Sequence, residues 1–196
     1  MKFHVLTLFP EMIIQGLGTS IMGRALESGA ISLSAVNIRD FSEDKHKKVD
    51  DYTYGGGAGM LMQAQPVYDA WKSVADKIGY APRTVYLTPQ GHTFTQPMAK
   101  ELAKEEDLVL LCGHYEGIDE RVLEEIVPVE KDKSLLAYPL PYQLLIGKHH
   151  RQVPPASAFR HLHHKYSHLL CYVYSLQNHG YLLLQLSAIF FPLLFQ

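Results

Sequence analysis

Residues 84–127 read TVYLTPQGHTFTQPMAKELAKEEDLVLLCGHYEGIDERVLEEIV, and the rhythm of this stretch decides the fold class. A short strand-forming run, 84–87, closes on the turn Thr88-Pro89-Gln90-Gly91. A helix over 96–104 follows, then a second apolar run, 108–112, that ends at Gly113-His114-Tyr115-Glu116-Gly117. Residues 118–127 read as another helix, with Asp119 and Glu120 in its first turn, where acids favour the positive helix end. Strand, helix, strand, helix in this order predicts an α/β fold with a parallel sheet and right-handed crossovers.

The same pattern extends toward the N-terminus. Residues 3–8 suit a buried strand, and Pro10-Glu11 open a helix that carries Met12, Ile13 and Leu17. A short helix over 20–27 stops at Ser28-Gly29, and 31–38 read as another strand. Residues 65–77 form a helix with Val67, Ala70, Trp71 and Val74 on one face. Between them, 39–59 is first polar and then glycine-rich, and reads as a long loop of the kind that usually serves function.

Charge is distributed unevenly. Residues 1–132 hold 13 of the 18 Lys and Arg and all 20 Asp and Glu, a formal −7. Residues 133–196 hold Lys133, Lys148, Arg151, Arg160 and Lys165 and no acid, a formal +5. That tail also holds seven of the 11 histidines, a tract that can bind metals only adventitiously. The overall net charge of −2 excludes a basic protein held to nucleic acid by charge alone. Two cysteines, Cys112 and Cys171, supply neither a disulfide framework nor a four-cysteine zinc site, and no metal ligands are expected. The first ten residues lack the order of a signal peptide, so a reducing, cytoplasmic setting is expected. The apolar stretch 181–195 is short for a membrane span, and a membrane-associated nucleotide-binding protein is the weakest functional class considered.

In open α/β sheets, ligands bind beyond the carboxyl ends of the strands. The turns 88–91 and 113–117 fit that rule, and their glycines let a backbone approach a ligand. The second also offers the aromatic face of Tyr115 and the carboxylate of Glu116, which suits an adenosine-like ligand. The two turns are expected to shape one pocket. The run YGGGAGM (54–60) is neither a P-loop nor a dinucleotide fingerprint; its glycines suit close backbone approach. The preceding 44–52 interleaves Lys45, His46, Lys47 and Lys48 with Asp50, Asp51 and Tyr52, and reads either as a phosphate and base contact or as a solvated charged face.

LFPEM (8–12), RDF (39–41), VDDYTYGGGAGMLM (49–62), VYLTPQG (85–91) and LCGHYEGIDERV (110–122), in this order, resemble the bacterial tRNA (guanine-N1)-methyltransferases. The resemblance implies a trefoil-knotted α/β domain of the SPOUT class, a homodimer, S-adenosylmethionine as methyl donor and tRNA guanosine 37 as acceptor. A magnesium ion is implicated in the family's chemistry. By the same resemblance Tyr86, Leu87, Thr88, Pro89 and Gly91 form the first cofactor loop, and Gly113, Tyr115, Glu116 and Gly117 the second, with Glu116 the candidate catalytic carboxylate. Asp50, Gly55 and Gly59 match the stretch that faces the target guanine across the dimer.

The quoted motifs end before Val127. The family's third cofactor loop, of the type S-I-G-D-Y-V-L-[ST]-G-G-E, has no counterpart: 118–146 contain no glycine. The family's general-base Asp and helical tRNA-binding domain are also unmatched, and 133–196 hold no acid to replace that base. The expected organisation is therefore a knotted cofactor-binding domain over 1–127 and an atypical tail over 128–196, read as out of frame. The alternative function is a catalytically defective module that binds S-adenosylmethionine without transferring its methyl group.

Overall fold

The computed structural model describes residues 1–56, 59–88, 92–127 and 135–136. The tail beyond Val127, apart from a two-residue strand, lies outside them, as do the histidine tract, Pro89 and Gly91.

Four parallel strands form the central sheet: β1 (Lys2–Thr7), β2 (Ser32–Asn37), β5 (Arg83–Leu87) and β7 (Asp107–Cys112), in the spatial order β2-β1-β7-β5. All six residues of β7 are buried, as are five of the six in β1. A strand covered on both faces reads as a continuous apolar run, which explains DLVLLC and the apolar part of KFHVLT.

Alternate side chains divide the core into two layers. Phe3, Val5, Val85, Leu87, Leu108, Leu110 and Cys112 point to one face and pack with α1 (Pro10–Leu17), α2 (Ser20–Glu27) and α4 (Gln96–Leu102). Leu6, Tyr86, Val109 and Leu111 point to the other and pack with α3 (Ala64–Ile78) and α5 (Glu120–Ile126). Pro10 starts α1 with Glu11 in its first turn, and α3 ends on Gly79 at φ +88°, a left-handed cap that glycine adopts without strain. Among the described residues no helix is long and apolar enough to cross a membrane.

The expected elements form, with two differences. The stretch expected as one loop over 39–59 holds a 3-10 turn (Ile38–Phe41) and the first arm of a hairpin. That hairpin pairs β3 (Asp50–Tyr52) antiparallel with β4 (Met60–Met62), Asp50 opposite Met62. Three-residue strands leave almost no periodic signal in sequence. Asp119, expected in the first turn of the last helix, is instead its N-cap, and its side chain accepts from the Arg121 amide. A further two-residue strand, β8 (Leu135–Leu136), runs parallel to β6 (His92–Thr93).

At the amino end of the sheet a buried polar cluster ties β1 to β7. His4 Nε2 lies 2.8 Å from Asp107 Oδ1, and the Tyr80 hydroxyl donates to Asp107 Oδ2 at 2.8 Å. Burial pushes the Asp107 carboxyl up, but the hydrogen bonds from His4 and Tyr80 outweigh it and hold it below its ordinary value of 3.8. A carboxylate with a depressed folded pKa stabilises the fold above its unfolded pKa, and that contribution is lost as pH falls through the folded value. Asp107→Asn is expected to cost about 1–3 kcal/mol at pH 7. In urea denaturation the gap to the parent narrows once pH drops below about 4; a pH-independent gap contradicts this.

Candidate functional site

The site is built at the carboxyl edge of the sheet. β5 and β7 pair in parallel with Leu87 opposite Cys112, so the turns that follow them begin side by side. The helices after these neighbours pack on opposite faces, α4 with the first core layer and α5 with the second. A crevice opens at such a divergence, the usual place for a ligand in this fold class. On the other side of β7 the His114 ring meets Phe9, which follows β1, edge-on at 5.4 Å.

The β3–β4 hairpin docks on the second turn through its backbone. The Glu116 amide donates to the Met60 carbonyl at 3.0 Å, the Met62 amide to Gly117 at 2.9 Å, and the Asp119 amide to Met62 at 3.0 Å. The His114 amide donates to Met62 Sδ at 3.3 Å. These bonds hold Tyr115 at φ +59°, a left-handed conformation costing a bulky residue about 1–3 kcal/mol. Strain of this kind collects at functional sites. Gly59, at φ +124°, lies directly over Glu116: an added Cβ would stand 2.5 Å from Glu116 Cγ.

A charged cluster closes the hairpin side. The Arg121 guanidinium donates to both carboxylate oxygens of Asp119, at 3.0 and 2.7 Å. The Tyr54 hydroxyl donates to Asp119 Oδ2 at 2.8 Å and accepts from Arg121 at 2.5 Å. The hydrogen bonds from Arg121 hold the Asp119 carboxyl down at about 2, so it is ionised throughout the neutral range. A cleft of about 670 Å³ opens beside this cluster, lined by Tyr52, Tyr54, Gln63, Tyr68 and Arg121 among others.

With this geometry, the comparison with known proteins becomes decisive. The family model for tRNA (guanine-1)-methyltransferase TrmD matches residues 1–150. The chain belongs to this family. A curated relative named tRNA (guanine-N(1)-)-methyltransferase, from Lachnospira eligens, is 64% identical over 127 residues, covering 65% of this chain and 54% of that protein. One of the same name from Ruminiclostridium cellulolyticum is 53% identical over 157 residues, covering 79% and 67%. The chain thus spans about half to two thirds of the length of these relatives. Among solved structures, the tRNA (m1G37) methyltransferase from Aquifex aeolicus superposes with a TM-score of 0.61 at 35% identity, over 69% of this chain and 59% of that one. The family match continues past Val127, where the quoted motifs have already ended.

Within this family member, the residues singled out from sequence fall into three groups. Tyr86, Leu87 and Thr88 are buried at the end of β5, while Pro89 and Gly91 lie outside the described residues. Gly113, Tyr115, Glu116, Gly117 and Gly59 gather where the hairpin meets the second turn. Asp50 starts β3, and Gly55 stands at the hairpin tip with nothing within 4 Å of an added Cβ. The close approach at Gly113 is to Tyr86, whose ring would lie 3.0 Å from an added Cβ; burial pushes the Tyr86 hydroxyl up to about 12. The amides of His114 and Glu116 serve the hairpin, leaving the Tyr115 ring and the Glu116 carboxylate as the exposed groups of that turn. Cys112 is buried in the core, where burial pushes its thiol up and keeps it protonated.

Sequence reasoning missed Tyr54 and Arg121, and gave Asp119 only a place in a helix. Asp119, followed two residues on by Arg121, is a local capping signal; its bond to Tyr54, 65 residues away, has no local trace. The two glycines of the hairpin should respond differently. Gly59→Ala is expected to cost about 1–3 kcal/mol in denaturant unfolding and to displace Glu116. Gly55→Ala should stay within about 0.5 kcal/mol of the parent, and equal costs at both positions contradict the placement of Gly59.

Proposed function

We propose that the chain is the cofactor-binding part of a methyltransferase that moves a methyl group from S-adenosylmethionine to N1 of guanosine 37 in tRNA. One observation carries the reading: in a member of this family, the turns after β5 and β7 start side by side, and the glycine-rich hairpin leans onto the second of them.

The residues fit the donor. Tyr115 offers an aromatic face, and Tyr86 with Gly113 forms a close-packed wall at the base of the crevice. Thr88, Gly117 and the unmasked part of the first turn complete the proposed adenosyl site; Pro89 and Gly91 enter on the resemblance alone. When bound, S-adenosylmethionine supplies an electrophilic methyl group on its sulfonium. The chain's part is positioning and proton removal. Guanine N1 carries a proton at neutral pH and must lose it to a base. Glu116 is the exposed carboxylate that Gly59 touches, and it is the base we assign. Asp50, Gly55 and Gly59 then form the RNA side. The same reading makes the protein a cytoplasmic homodimer with a trefoil-knotted domain. No group of three or more His, Cys, Asp or Glu side chains gathers among the described residues, so magnesium is assigned no ligands.

A second reading, a module that binds the donor and transfers nothing, is favoured by the missing acids: residues 133–196 contain no Asp or Glu to act as the family's general base. We further propose, on composition, that 128–196 are an out-of-frame tail. The family match to residue 150 speaks against a boundary at Val127 itself. Resequencing the gene decides this: an alternative frame restoring a glycine-rich loop is expected, whereas clean codons and an intact mass of 22.2 kDa overturn it.

Calorimetry with S-adenosylmethionine followed by methyl transfer to tRNA transcripts separates the two functions, since binding without turnover selects the module. If the enzyme reading holds, Glu116→Gln lowers kcat by about 10²–10⁴ with donor affinity within about twofold of the parent. Full turnover in that variant removes Glu116 from the role of base.

A further inference from the structure

We infer that Tyr54 is a positioning residue, whose hydroxyl bond to Asp119 holds the glycine-rich segment over Glu116. The tyrosine is 78% exposed, so burial does not hold it. Its hydroxyl is nevertheless engaged twice, by the Asp119 carboxylate and the Arg121 guanidinium, and the Arg121 guanidinium lies 5.6 Å from the ring centroid. Asp119 is a rigid anchor. It is itself buried, caps α5 through the Arg121 amide, and donates its own amide to Met62 in β4.

The segment that starts at Tyr54 cannot hold itself in place. Gly55 and Gly56 have open space around them, Gly56 is at φ +69°, and glycine carries the largest conformational entropy of any residue. At its far end Gly59 must sit at the surface of Glu116, with no room for one extra carbon. The Met60–Glu116 backbone bond fixes the segment on that side. On the other, Tyr54 supplies the side-chain anchor. Without it, the position of Gly59 over the carboxylate averages over many backbone states, while the central sheet and the α5 cap keep all their bonds. Tyr54 therefore acts through Gly59 on Glu116 and touches neither substrate.

The activity arm of the test rests on the function proposed above, and the structural arm does not. In the full chain carrying Tyr54→Phe, amide exchange at Gly55, Gly56 and Gly59 is expected to accelerate about tenfold, with β7 amides unchanged. That is the size of one hydrogen bond to a charged group. Alongside it, kcat/KM for a tRNA transcript falls about tenfold, while donor affinity by calorimetry and the Tm stay at the parent values. Unchanged exchange at the three glycines overturns the inference whatever the activity does. Accelerated exchange with unaltered kcat/KM, or with donor affinity falling in step, reduces the contact to a surface staple and also overturns it. A parent chain that transfers no methyl group refutes the proposed function, and the exchange measurement then decides this inference alone.

Discussion

Parallel pairing of β5 with β7 is the constraint on which the carboxyl edge depends. Register sets Leu87 against Cys112, and burial of every β7 side chain prevents that register from slipping. A shift of one residue would turn Leu108, Leu110 and Cys112 out of one packed layer and Val109 and Leu111 out of the other. Because the strand is locked, the turn that follows it leaves the sheet at a defined point, and α5 leaves toward the opposite face from α4. The crevice results from this divergence.

On that base the hairpin adds a second layer of order. Backbone groups of 116–119 that would otherwise need water are taken up by Met60 and Met62, and the ladder so formed continues the hairpin onto the turn. It also offsets the strain at Tyr115. A carboxylate at Glu116 and a glycine at 59 are then brought into contact by groups that are mostly backbone. The Tyr54–Asp119–Arg121 cluster is the electrostatic counterpart of that docking. Arg121 is largely exposed, so its bond to Asp119 adds little net stability, while its planar fork gives geometric definition.

How far this architecture can be read from residues alone depends on the range of the interactions. The runs LVLLC and TVYL, the Pro-Glu helix start and the four-residue spacing in α3 are local signals, and the sheet strands and helices built on them lie within two or three residues of expectation. The turns at 88–91 and 113–117 are also legible, because strand ends in this fold class carry the ligand. The hairpin was not, since β3 and β4 are three residues each and draw their stability from the turn they dock on.

Apolar periodicity and glycine placement thus suffice for the α/β class, the strand–helix order and the two candidate turns, because each is encoded within a few consecutive residues. Tertiary structure alone decided that Gly59 rests on Glu116, that Gly113 packs on Tyr86 rather than facing open space, and that Tyr54 reaches Asp119. Those contacts join residues that lie far apart along the chain, and their energies exist only once the sheet has brought both partners to one edge.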